Sequence, residues 1–144
     1  MGSLSAADLV GSPVRLHGIL LGRPVDLLLD AGARRVVGFV VESGDEAPRF
    51  LPFAASQPEE DVIAVASALM LLDDVGFYRK RGVSFRSLLG TRVEQESVPV
   101  GTLIDMHVDS MGAVIELEVE RDDLRRRVAA VSATLSSPAA ATAA

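Results

Sequence analysis

Val114-Ile-Glu-Leu-Glu-Val-Glu120 alternates apolar and acidic side chains residue by residue, which is the two-residue period of a strand with one buried face. That period predicts Ile115, Leu117 and Val119 facing inward, with Glu116, Glu118 and Glu120 facing outward. Leu103 to Asp109 behaves in the same way, with Ile104, Met106 and Val108 inward. Between the two runs Asp109-Ser-Met-Gly112 supplies turn chemistry, since Gly112 can take positive φ at little cost. Together they read as a β-hairpin.

Working outward, the chain matches itself at an offset of 79 residues. Leu9, Gly11, Val14, Gly22, Asp26 and Asp30 fall on Leu88, Gly90, Val93, Gly101, Asp105 and Asp109 without a gap. After deletion of one turn residue, Val36, Val41 and Glu42 fall on Val114, Val119 and Glu120. Two glycines and two aspartates kept at one spacing indicate an internal repeat. The first copy then has Val25, Leu27 and Leu29 inward, a turn at Asp30-Ala-Gly-Ala-Arg34, and Val37, Phe39 and Val41 as the returning inner row. The hairpin cores of residues 24–42 and 103–120 are expected to correspond, Leu27 with Met106 and Phe39 with Leu117.

Beyond the shared hairpins the halves diverge. The first continues through an acidic loop (Glu42 to Pro48), a short strand around Phe50 to Phe53 and another at Val62 to Ala66. Asp73-Asp74 can cap a short helix that carries Arg79-Lys80-Arg81 in its last turn and stops at Gly82. In the second half Leu124, Val128, Val131 and Leu135 recur at helical spacing, predicting an amphipathic C-terminal helix over Arg121 to Leu135. The organisation is therefore a unit at 9–75, a linker with a basic helix at 76–87, an abbreviated second half with the C-terminal helix at 88–135, and a disordered tail at 136–144.

Composition narrows the function classes. The 144 residues are 49% hydrophobic and only 4% aromatic, enough for a packed core built from Val, Leu, Ile and Ala and too apolar for global disorder. The absence of cysteine removes disulfides, thiolate metal sites and thiol nucleophiles. No signal peptide or spanning segment is evident, so a cytoplasmic location without membrane insertion is expected. A formal net charge of −6 argues against general attraction to nucleic acid, although the basic 79–86 segment leaves a local contact open.

Val14-Arg-Leu16, Gly22-Arg-Pro-Val-Asp26-Leu-Leu-Leu-Asp30, Arg35-Val-Val-Gly-Phe-Val-Val41 and Arg49-Phe-Leu-Pro-Phe53 resemble the PRC-barrel domain family. Its pattern has a Gly-x-x-x-Asp step into a strand, a turn, a strand containing Val-x-Gly, and a short strand with proline. The resemblance covers residues 9 to about 72 and is partial over 88–120, where Glu116 stands in place of Gly38 and the proline strand is not found. It implies a mostly β, small PRC-type β-barrel with an internally repeated hairpin unit. It further implies a docking platform rather than a catalyst, since family members include a photosynthetic reaction-centre subunit and a ribosome maturation factor.

Candidate sites follow from residues that the repeat does not explain. The repeated aspartates sit beside turn glycines, where carboxylates accept from backbone donors. His17 and His107 do not align, and the acidic row around His107 (Asp105, Asp109, Glu116, Glu118, Glu120) reads as a solvated strand face. No catalytic, metal or cofactor site is assigned. Leu28 and Val40 are apolar on the outward row, where the second hairpin has His107 and Glu118. They therefore call for a cover, expected first from the C-terminal helix through Leu124, Val128 and Val131, and otherwise from a second subunit or a partner. Phe77, Tyr78, Arg79, Lys80 and Arg81 combine the only Tyr with the strongest basic run. The expectation is a non-catalytic adaptor that docks a protein partner through Leu28, Val40 and residues 77–81, with self-association as a further property. The alternative is an RNA- or ribosome-associated assembly factor that uses the 79–86 segment.

Overall fold

Two long antiparallel hairpins organise the protein, as a computed structural model that describes residues 2–44 and 46–136 shows. The tail expected at 136–144 lies outside the described residues from 137 onward. In chain order the elements are β1 (Leu4–Ser5), α1 (Ala6–Gly11), β2 (Val14–Leu16), β3 (Ile19–Leu29), β4 (Val36–Glu42), β5 (Arg49–Pro52), β6 (Ser56–Pro58), β7 (Ile63–Val65), α2 (Val75–Arg81) and β8 (Val83–Ser84). There follow α3 (Phe85–Leu88), β9 (Arg92–Gln95), β10 (Val98–Val108), β11 (Val114–Arg121), β12 (Leu124–Ala129) and β13 (Ala133–Leu135). One sheet runs β5-β4-β3-β2-β7-β6 with β8 on β3, and the other runs β12-β11-β10-β9-β13 with β1 on β10. The protein is mostly β, and the curled sheets form a half-barrel.

Both predicted hairpins are present. Leu27 pairs with Phe39 in β3–β4, and Met106 pairs with Leu117 in β10–β11. The strict alternation is nevertheless broken twice in each. Register shifts fall between Pro24 and Asp26 and between Leu28 and Leu29 in the first, and between Leu103 and Asp105 and between His107 and Val108 in the second. A bulge adds one residue to one strand and turns the following side chains to the other face. Val25, Val37, Ile104 and Ile115, all expected inward, are therefore displaced, and Leu103, Val36 and Val114 are buried instead. Tight two-residue turns join the shorter pairs. His17-Gly18, Glu96-Ser97 and Asp122-Asp123 all have positive φ at both positions, the backbone that matches strand twist in a hairpin.

The halves interlock through their short N-terminal segments. Ser5 caps α1 by accepting from Asp8 N, and Ser84 caps α3 by accepting from Ser87 N. Neither capped helix packs on its own half alone. β1 adds to β10, with Leu4 opposite Val108 and Ser5 opposite His107, while β8 adds to β3, with Val83 opposite Leu29 and Ser84 opposite Leu28. The main buried core draws on both hairpins, with Leu9, Leu27, Phe39, Leu51, Phe85, Leu88, Leu103, Met106 and Leu117 in one cluster.

One expectation is corrected. Residues 121–135 are not a helix: β12 pairs antiparallel with β11, a 3-10 turn spans Ala130–Ser132, and β13 pairs with β9. The physical reason is charge pairing across the ladder. Glu118 lies opposite Arg127 and Glu120 opposite Arg125, and opposite charges on facing strands favour the pairing. Ala129 faces Glu116 in β11–β12, and Pro52 faces Gly38 in β4–β5.

Candidate functional site

The connection between the halves is where the candidate residues meet. Asp74 accepts from Phe77 N at 3.1 Å and starts α2, as the sequence predicted. The helix stops at Gly82 because the chain there presses against β3, and a Cβ on Gly82 would lie 2.7 Å from Leu29 O. With both ends fixed, Tyr78 is held flat on Phe50, with ring centroids 3.9 Å apart and planes 10° apart. Beneath that stack Leu28, Val40, Phe50 and Val75 form a second buried cluster, flanked by Val25, Val37, Leu72 and Tyr78. The apolar row of the first hairpin is thus covered. The cover is α2 and the Phe50 strand, not the C-terminal segment, in which Leu124 and Val131 are exposed. Leu28 and Val40 are buried within this chain and offer no surface to a partner.

The outside of the same helix is open. Phe77 is 43% exposed and meets Tyr78 edge-on at 5.1 Å. The Arg81 guanidinium lies 3.8 Å above its ring, a cation–π arrangement. Arg79 Nη1 is 3.9 Å from the Asp26 carboxylate, and Lys80 is exposed. Leu69 and Met70, in the turn that leads to this helix, are also exposed. The arrangement brings an aromatic ring and three cations to one short, firmly seated helix on an acidic chain.

The corresponding face of the second hairpin is polar. His107 Nε2 lies 2.9 Å from Glu118 Oε1, and Arg127 bridges Glu118 at 3.8 Å and Glu116 at 3.6 Å. Arg127 faces Glu118 in the register where Phe50 faces Val40. Asp105, His107 and Glu118 bring ligand-type atoms within 4.8 Å of one another. The carboxylate already has partners: it accepts from Ser5 Oγ, Ala7 N and Met106 N. Asp26 accepts from the matching donors, Ser84 Oγ, Arg86 N and Leu27 N, and the residues beside it are Leu28 and Val40 rather than His and Glu. The same bonds form where no metal-ligating set exists, so a structural clamp accounts for Asp105. His17 sits in the turn between β2 and β3.

No protein-family model and no curated protein matches this chain.

The clamp serines were not among the sequence candidates. The signal was present: carrying the 79-residue offset back past Leu9 places Ser5 on Ser84, each just ahead of a capped turn. Asp30 and Asp109 do what turn carboxylates are expected to do. Asp30 accepts from Arg34 N at 2.8 Å, and Asp109 accepts from Met111 N at 2.9 Å and Ala113 N at 3.0 Å. Among the described residues no helix is long and apolar enough to cross a membrane.

Proposed function

We propose that this chain is a non-catalytic docking module of the PRC-barrel type, built from two tandem units, which presents the outer face of α2 to a protein partner. The tandem reading is supported by strand limits that recur at the sequence offset, Ile19–Leu29 and Val98–Val108, and by reciprocal pairing of β1 with β10 and β8 with β3. The docking reading is carried by one observation: Phe77 stands half exposed under the Arg81 guanidinium on a helix locked by the Tyr78–Phe50 stack. Aromatic and arginine side chains on a rigid support are the usual anchors of protein interfaces. The partner surface that fits is apolar with an acidic rim, opposite in sign to Arg79, Lys80 and Arg81 on α2.

An RNA contact through the same segment is the weaker reading. Base stacking needs an open aromatic face. Tyr78 gives one face to Phe50, and Phe77 has Arg81 on its ring.

The test compares the wild-type chain with a Phe77→Ser, Lys80→Glu, Arg81→Glu variant in affinity capture from the native cell. Capture of a protein that resists nuclease, and its loss in a folded variant, is the expected result. Release by nuclease would transfer the site to RNA, and equal capture by both chains would remove α2 as the docking face.

A further inference from the structure

The turns of the two long hairpins meet reciprocally, with Val36 N donating to Gly112 O at 2.8 Å and Val114 N donating to Arg34 O at 2.9 Å. The space beside each turn is filled differently. On one side the Phe53 ring packs on Phe39 with centroids 6.0 Å apart. It also lies against Gly112, where an added Cβ would come within 3.1 Å of two ring carbons. On the other side the strand register puts Leu117 where Phe39 stands. It puts Ala130, at the start of the matching 3-10 turn, where Phe53 stands. The reciprocal turn bonds put Arg34 in the place of Gly112.

The missing ring leaves a cavity of about 190 Å³ among Leu88, Val114, Leu117, Ala130 and Ala133, with Arg34 among its lining residues. An apolar cavity of about 150 Å³ is enough for benzene. Arg34 Nη1 donates to Ala130 O at 2.7 Å, and Arg34 forms no ion pair among the described residues. A guanidinium has five donors in a fork that matches a carboxylate.

We propose that this cavity is a binding site for a small monocyclic aromatic carboxylate, the ring occupying the place that Phe53 fills in the other half and the carboxylate meeting Arg34. Arg34 is exposed, so it stands at the entrance, while the apolar residues form the floor. The shape is set by a ring already seated in the matching place of the same molecule, and the charge by the residue that replaces Gly112.

The test is an NMR titration of the methyl-labelled full chain with benzoate and, separately, with toluene. Benzoate is expected to give saturable shifts at Val114, Leu117 and Ala133. Arg34→Gln is expected to weaken benzoate about tenfold, the usual effect of losing one charge-assisted hydrogen bond, and to leave toluene unchanged. An Ala130→Phe, Arg34→Gly variant rebuilds the Phe53–Gly112 arrangement and should abolish both. If it does not fold, Leu117→Phe fills the same space. No saturable shift with benzoate, binding of toluene alone, or binding that survives a folded cavity-filling variant would each overturn the proposal.

Discussion

Asp26 and Asp105 each accept from one serine hydroxyl and two backbone N–H groups, and both are nearly closed to solvent. In each case the serine and one of the N–H groups come from the short segment that precedes the other long hairpin, so a single carboxylate fixes an N-cap, a bulge and the contact between the two hairpin systems. Asp105→Ala is expected to destabilise the chain by about 3 kcal/mol in urea unfolding, since hydrogen bonds to charged groups contribute roughly 1.5–3 kcal/mol each; Asp26→Ala should match it. His107 and Glu118 differ, because their counterparts are Leu28 and Val40. Glu118→Val alone leaves His107 without its partner and should cost about 1–2 kcal/mol. The His107→Leu, Glu118→Val pair should return to within about 1 kcal/mol of wild type, since exchange of a buried polar pair for apolar groups of similar shape is often near neutral. Gly38 shows the reverse dependence on its neighbour. A Cβ there would lie 2.3 Å from the Phe50 ring and 2.4 Å from Leu51 O, so Gly38→Ala is expected to cost about 3 kcal/mol or more as the strand is forced from β5. In the second hairpin Glu116 instead meets Arg127 at 3.6 Å.

At the scale of elements, α2 covers an apolar strand face and β12 closes a charged one. Tyr78→Ala removes a ring stacked at 3.9 Å on Phe50 and should destabilise by about 2–4 kcal/mol, less than a fully enclosed aromatic because Tyr78 is only partly buried. β12 places Val128 inside at 4% exposure but Leu124 at 74%, and the 3-10 turn that follows leaves Val131 at 89%. Val128→Asp should therefore cost about 3 kcal/mol or more, whereas Leu124→Glu and Val131→Glu should each stay within about 0.5 kcal/mol in thermal melting. A helix with all three on one buried face would make the three substitutions equally damaging. These elements also show what the sequence could convey. Alternation revealed both hairpins, and Asp74 with Gly82 bounded α2, because those signals are local. The bulges at Val25, Val37, Ile104 and Ile115 left no local mark, since each serves a contact made far along the chain. Helical spacing of Leu124, Val128, Val131 and Leu135 was a coincidence across a strand, a 3-10 turn and a second strand. The competing signal was Arg125-x-Arg127 facing Glu118-x-Glu120 across Asp122-Asp123. Of the candidate site, Phe77 to Arg81 was legible as aromatic and basic residues on a helix, but the burial of Leu28 and Val40 under Tyr78 depends on tertiary packing.

At the scale of the molecule, the exchanged contacts make each half a structural part of the other. β1 and α1 precede the first long hairpin in sequence, yet β1 pairs with β10 and α1 packs against both β3 and β10, while β8 and α3 precede the second long hairpin and pack on β3. One core with residues from both halves should unfold in one transition. Native-state hydrogen exchange tests this interlock most directly, because it reads local stability amide by amide. In the wild type, the amides of Leu27, Phe39, Met106 and Leu117 should share the highest protection, set by global unfolding. In Asp105→Ala, protection should fall by the same amount in β3–β4 as in β10–β11, even though the substitution lies in β10. Loss confined to β10, β11 and the N-terminal segment, with β3 and β4 unchanged, would mean that the halves are independently stable and would contradict the account.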